Sequence, residues 1–165
     1  MQDLGKIPAA IFLFFALMGS ASAQVVALGA SNTQGQGVSS SESFPAQLQT
    51  MLQARGSGLR VTNAGISGDT TGGMLARLSS AVPEGTKIVI LQFGGNDFRR
   101  NISPEMRQAN IASIQQQLRK RGIRLVQVDG LVRSAQVAGM VQPDHIHLTR
   151  EGYRRVAAQL LSSIH

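Results

Sequence analysis

The chain has 165 residues, room for one domain with a real core and too few for two ordinary ones. At 42% apolar and 15% charged it has the composition of a folded globular protein, and the absence of cysteine excludes disulfides, thiol catalysis and Cys-type zinc sites. The formal net charge of +7 favours anionic partners such as phospholipid headgroups or wall polymers, while thinly spread basic residues and 4% aromatics argue against nucleic acid.

Lys6, the apolar run from Ile11 to Met18 and the small residues Ala21-Ser22-Ala23 form the three parts of a secretory signal peptide. The run is short for a bilayer span, which disfavours a retained anchor. Residues 1–23 are therefore expected to be a signal peptide and 24–165 a single domain, periplasmic or secreted after cleavage near Ala23. Lys6 and Asp3 leave together, so the net charge survives the cut.

The apolar run Val25-Val26-Ala27-Leu28 stops in Gly29-Ala30-Ser31-Asn32-Thr33, as a buried parallel strand does where it meets a loop. Ser31 then lies just past a carboxyl end, where open α/β sheets place ligands and reacting groups. A Gly- and Ser-rich loop, 34–41, precedes a helix starting near Ser43 and Pro45 and stopped by Gly56 and Gly58. A short strand, Leu59 to Thr62, runs into the loop Asn63 to Thr71, whose two glycines let backbone amides turn towards a ligand. A helix is predicted from about Thr71 to Ser80.

Lys87 to Phe93 contains the continuous β-branched run Ile88-Val89-Ile90-Leu91 and is placed centrally in the sheet, ending in Gly94-Gly95-Asn96-Asp97. A longer helix begins near Ser103-Pro104 and ends in Arg119-Lys120-Arg121-Gly122; a fourth strand covers Arg124 to Val128. The stretch Asp129 to Pro143 is too short for a complete βαβ unit and reads as a loop with a short helical or extended piece. It leads to Asp144-His145-Ile146-His147 and a last helix capped by Thr149. Alternating strands and helices predict a doubly wound parallel sheet covered on both faces.

Taken in order, the Gly-Ala-Ser-Asn-Thr turn, the Asn-Ala-Gly-Ile-Ser-Gly-Asp-Thr loop, the Gly-Gly-Asn-Asp turn and Asp144-x-x-His147 resemble the sequence blocks of the SGNH hydrolases, the GDSL lipase and esterase family. The resemblance spans nearly all of residues 24–165. It implies an α/β fold, a flavodoxin-like three-layer α/β/α sandwich with a parallel sheet of four to five strands, and hydrolysis of esters or thioesters without metal or cofactor. Position by position it implies Ser31 as nucleophile, His147 as general base and Asp144 as the carboxylate orienting the imidazole. The oxyanion-hole donors would be the Ser31 and Gly68 amides and the Asn96 side chain. The chemistry stands on its own terms. A serine hydroxyl needs a base to take its proton, a histidine serves near neutral pH, and the oxyanion needs preset donors.

His145 is read as a rim residue, since a metal site shared with Asp144 lacks further histidines. Asp97 is expected to hold the Gly-Gly-Asn turn or to add a second carboxylate near the site. Asn63 and Asp69 are read as loop-fixing groups. The family's first block carries Asp where this chain has Ala30, so another group, Asn32 or Asp69, should stabilise the oxyanion loop. Leu131, Val132, Val137, Met140 and Val141 either line an acyl pocket or plug a small core. The leading functional expectation is an exported esterase of the lysophospholipase or acyl-thioesterase kind acting on a small-molecule or lipid ester. Polysaccharide O-acetyl ester hydrolysis, or a silent basic module binding wall polymer or anionic lipid, are the alternatives.

Overall fold

The structure, a computed structural model, describes residues 24–164. The expected signal peptide, residues 1–23, lies outside the described residues. Four strands, β1 (Val25–Gly29), β2 (Val61–Gly65), β3 (Ile88–Gln92) and β4 (Arg124–Gln127), form one sheet in the order β2-β1-β3-β4. All three pairings are parallel, with Gly29 level with both Gly65 and Gln92. Every residue of β1 and β3 is buried, which is why these two strands are apolar throughout and occupy the centre.

Among the described residues the α-helices are α1 (Ser31–Gln34), α2 (Phe44–Ala54), α3 (Thr71–Ala76), α4 (Leu78–Ala81), α5 (Asn96–Arg99), α6 (Pro104–Lys120), α7 (Asp129–Val137) and α8 (Arg150–Leu161), with a 3-10 turn at Ser40–Glu42. Alternation along β1 and β3 divides the core into two layers. Val25, Ala27, Ile88 and Ile90 pack with Phe44, Leu48, Tyr153, Val156 and Leu160 of α2 and α8 on one face. Val26, Leu28, Val89 and Leu91 pack with Met74, Leu78, Ile114 and Leu118 on the other. The result is the expected three-layer α/β/α sandwich, with four strands.

Three local expectations need correction. β2 starts later than Leu59 and runs on to Gly65, taking in Thr62 and Asn63. It is an edge strand with exposed positions, so polarity there does not signal a loop. The predicted helix from Thr71 to Ser80 is two short helices parted at Arg77 (φ −100°, ψ 9°), whose guanidinium is drawn to Asp69 and the Gly29 carbonyl. The stretch after β4 is not mainly loop, because Asp129–Val137 forms a nine-residue helix. Val128, Val132 and Ala135 are buried at helical spacing, a period that Gly130 interrupts to the eye without breaking the helix. Leu131, Met140 and Val141 pack against the first core layer and Val137 is exposed, so most of this segment serves as a plug.

Ile114 is fully buried on α6 against the sheet. Replacing it by Ala should lower unfolding free energy by about 2–5 kcal/mol, read from urea unfolding, without changing the far-ultraviolet dichroism of the folded state.

Candidate active site

The chain leaves β1, passes to β2 on one side and returns through β3 on the other. The carboxyl ends of β1 and β3 therefore flank the switch point at which doubly wound sheets bind ligands. Ser31 opens α1 directly beyond β1, with Ala30 between. The turn is tight: a side chain on Gly29 would collide with the Thr33 hydroxyl and with the Gln92 backbone. Being first in its helix, Ser31 presents an amide with no intrahelical acceptor.

His147 reaches Ser31 from the loop between α7 and α8, its Nε2 lying 2.9 Å from Ser31 Oγ. On the far side of the ring, Nδ1 lies 2.5 Å from Asp144 Oδ2. The other oxygen, Oδ1, accepts the amides of Ile146 at 2.9 Å and His147 at 3.0 Å. The amide of His147 above all, then its imidazole and the Ile146 amide, hold the Asp144 carboxyl well below the usual carboxylate range. His147 is buried while the Asp144 side chain is 43% exposed, so the series runs from a dry serine to a solvated carboxylate.

Asn96 opens α5 past the carboxyl end of β3 and is buried. Its Nδ2 donates to the Asp69 carbonyl at 2.8 Å, leaving the second amide hydrogen free. Gly68 is in the left-handed region (φ +77°), and its carbonyl accepts Arg100 Nη2 at 3.0 Å. Its amide has no backbone acceptor among the described residues. Ser31 and Asn96 line one cleft of about 500 Å³, together with Gly94, Val132 and His145. Gly68 lies in the neighbouring loop rather than in the cleft wall, coupled to Asn96 through the Asp69 carbonyl.

The remaining expectations fare unevenly. His145 lines the cleft from an exposed, left-handed position (φ +59°), as a rim residue. Asn63 bonds the Gly65 amide and the Gln34 carbonyl. Asp69 takes the Thr70 amide and pairs with Arg77 at 2.8 Å, fixing the Gly68 loop. Asp97 neither faces the cleft nor holds its own turn with its side chain. It is fully buried and accepts the Thr71 amide and hydroxyl, tying α5 to the start of α3.

Asn32 supports the other side of the site rather than the oxyanion loop. Its Nδ2 donates to the Ile146 carbonyl and its Oδ1 accepts the Leu148 amide, so one side chain grips the backbone on both sides of His147. Gln136 also donates to the Ile146 carbonyl, at 2.7 Å. The hydroxyl of Tyr153 donates to Asn32 Oδ1, and burial pushes this phenol's pKa up, so it remains a neutral donor.

Sequence reasoning missed two residues. Asp129 accepts the Phe93 amide on one oxygen and the Gly94 amide on the other, and Gln92 Oε1 accepts the Ala30 amide and the Thr33 hydroxyl. They fix the two turns beside Ala30. The only signal for Asp129 was an acidic residue directly after a strand, and there was none for Gln92.

A hydroxyl, an imidazole and a carboxylate in hydrogen-bonded series above the switch point of a doubly wound sheet are the arrangement of the serine hydrolases. Comparison with known proteins then gives the family. The model of the GDSL-like lipase/acylhydrolase family matches residues 27–159, and the chain belongs to that family. It is 34% identical over 141 residues to the esterase TesA of Pseudomonas aeruginosa, covering 85% of this chain and 68% of that one. It is 33% identical over 112 residues to the thioesterase 1/protease 1/lysophospholipase L1 of Escherichia coli, covering 66% of this chain and 52% of that one. A crystal structure of TesA superposes with a TM-score of 0.76 at 27% identity, over 85% of this chain and 97% of that chain.

The grip of Asn32 is testable. In Asn32→Leu the Leu148 amide and Ile146 carbonyl lose partners, which should cost about 1–3 kcal/mol of stability. Ester turnover should fall by up to about a hundredfold as His147 drifts, measured by thermal unfolding and by kcat on a chromogenic ester.

Proposed function

We propose that the protein is an exported esterase that hydrolyses carboxylic esters or thioesters, of the lysophospholipase or acyl-esterase type, through Ser31, His147 and Asp144. The observation that carries this reading is the 2.9 Å contact between Ser31 Oγ and His147 Nε2, backed by the contact of His147 Nδ1 with Asp144. Export is supported by the tripartite pattern of residues 1–23.

In this reading His147 Nε2 takes the hydroxyl proton as Ser31 Oγ attacks the ester carbonyl carbon. The carbonyl oxygen becomes an oxyanion stabilised by the Ser31 amide, the Gly68 amide and the free hydrogen of Asn96 Nδ2. The imidazolium, steadied by Asp144, returns its proton to the departing alcohol or thiol and leaves an acyl group on Ser31. Water enters by the same route with His147 again as base, and the acid leaves. Relatives named as an esterase and as a thioesterase and lysophospholipase support the substrate class.

A fluorophosphonate probe should label Ser31, located by peptide mass spectrometry, and His147→Ala should abolish the adduct. Ser31→Ala and His147→Ala should each lose at least about a thousandfold in kcat. Turnover by Ser31→Ala equal to the parent sinks the reading.

Because Asp144 is held low, it stays ionised throughout the range in which an imidazole titrates. The acid limb of log kcat/KM should therefore fall with the slope of one proton, with no second step from Asp144. The stabilising effect of Asp144 on the loop is present above the ordinary carboxylate range and is lost only as pH falls through its depressed value. A rate profile flat across the acid range would remove His147 as the base.

A further inference from the structure

The cleft beside Ser31 is one-sided in charge. Arg99, Arg107 and Arg133 line it, and among the described residues its one carboxylate is Asp129. Both oxygens of Asp129 accept the amides of Phe93 and Gly94. The ion pairs among the described residues are Arg77 with Asp69, Arg150 with Glu42 and His147 with Asp144, so none of them neutralises a guanidinium of the cleft.

Two of these cations are nonetheless held in place. Arg99 Nη1 donates to Asn96 Oδ1 at 3.3 Å, and Arg107 Nη2 donates to the Gly94 carbonyl at 3.1 Å. Arg107 also sits over the ring of Phe98, 5.4 Å from its centroid, and is half-buried. Its Nε is buried with no hydrogen-bond partner among the described residues. A guanidinium has five donors, and the protein supplies this one with a single acceptor. With Nε enclosed by the protein, the donors left to a ligand in the cleft are those of the two Nη groups, and a solubilising arginine has no reason to be clamped at the mouth of a cleft. A planar fork of this kind matches the two oxygens of a carboxylate or phosphate.

We propose that the cleft selects esters carrying a second, anionic group, a carboxylate or a phosphate, which sits on Arg107 with Arg99 and Arg133 beside it while the ester carbonyl lies at Ser31. The selectivity rests on the esterase reading above and adds the substrate's charge to it. Phe98, 59% exposed, and Ile146 and Val132 give the same cleft apolar surface for the carbon chain between the two groups. The anion has two possible positions, on the acyl chain as in a dicarboxylic half-ester or on the alcohol as in a phosphorylated glycerol ester.

The test compares kcat/KM within two matched pairs. Mono-para-nitrophenyl glutarate against para-nitrophenyl valerate puts the charge on the acyl side, and acetoxyethyl phosphate against methoxyethyl acetate puts it on the alcohol side. One pair should favour the charged ester by about tenfold to a hundredfold, the worth of a hydrogen bond to a charged group, and which pair does so assigns the side. That preference should shrink as salt is raised. It should collapse towards one in Arg107→Gln and recover only in part in Arg107→Lys, which keeps the charge but not the fork, with thermal unfolding checking that both variants are folded. A ratio of one or less in both pairs overturns the proposal while leaving an esterase, provided the neutral esters are hydrolysed and Ser31 takes the fluorophosphonate. A preference unchanged in folded Arg107→Gln also overturns it. No hydrolysis of any ester and no adduct at Ser31 overturns the esterase reading itself, and the selectivity with it.

Discussion

The carboxyl edge of β1 and β3 carries an unusual burden of buried polar groups. Ser31, Asn32, Thr33, Gln92, Asn96, Asp97 and His147 are all buried there, directly above two strands with no polar residue but Gln92. A polar group taken out of water is costly unless it finds a partner. Each therefore has to be satisfied by a group on another element, and those obligations assemble the site. Asn32 Nδ2 has no acceptor without the α7–α8 loop, Asp97 no donor without Thr71, and Gln92 Oε1 none without Ala30 and Thr33. The loops are positioned because the sheet edge leaves their polar groups no other acceptors.

This constraint explains how the chain accommodates Ala30. A carboxylate at that position would help fix the adjacent loops, but here the position is buried in the second core layer. Its backbone amide is taken by Gln92 and the amides of the following β3 turn by Asp129. The carboxylate serving this edge thus comes from the start of α7, on the opposite side of β3. The amides of Ala30, Phe93 and Gly94 all find acceptors, so the alanine is a redistribution of the anchoring rather than a loss.

Much of the architecture was legible because it follows from local pattern. β1 and β3 are apolar without interruption, and α6 begins at Ser103-Pro104 and ends in cations and glycine, so both kinds of element announce themselves. Ser31, Asn96, Asp144 and His147 stood out as candidates only because four short blocks, taken together and in order, resemble those of a known family. What could not be read depends on partners distant in the chain. Asp97 looks like a turn residue until Thr71 is seen beside it, and Arg77 looks helical until Asp69 draws it out of register. Asn32 pairs with residues more than a hundred positions away. β2 failed for another reason: an edge strand need not be apolar, so its polarity was uninformative.

The geometry of the His147 loop separates two tasks usually treated as one. Orientation of the imidazole against Asp144 is a local matter, closed within residues 144–147 by two backbone amides on one carboxylate oxygen and the ring on the other. It needs nothing from the sheet, which is why a carboxylate 43% exposed can still be firmly placed. Approach of the imidazole to Ser31 is the non-local matter, set by Asn32 and Gln136 on the Ile146 carbonyl and by Asn32 on the Leu148 amide. Asn32 is the neighbour of Ser31 in the chain, so any movement of the serine turn carries the grip on the histidine loop with it. Hydroxyl and imidazole are thereby tied through Asn32 as well as across the 2.9 Å between them, so their approach does not rest on that single contact.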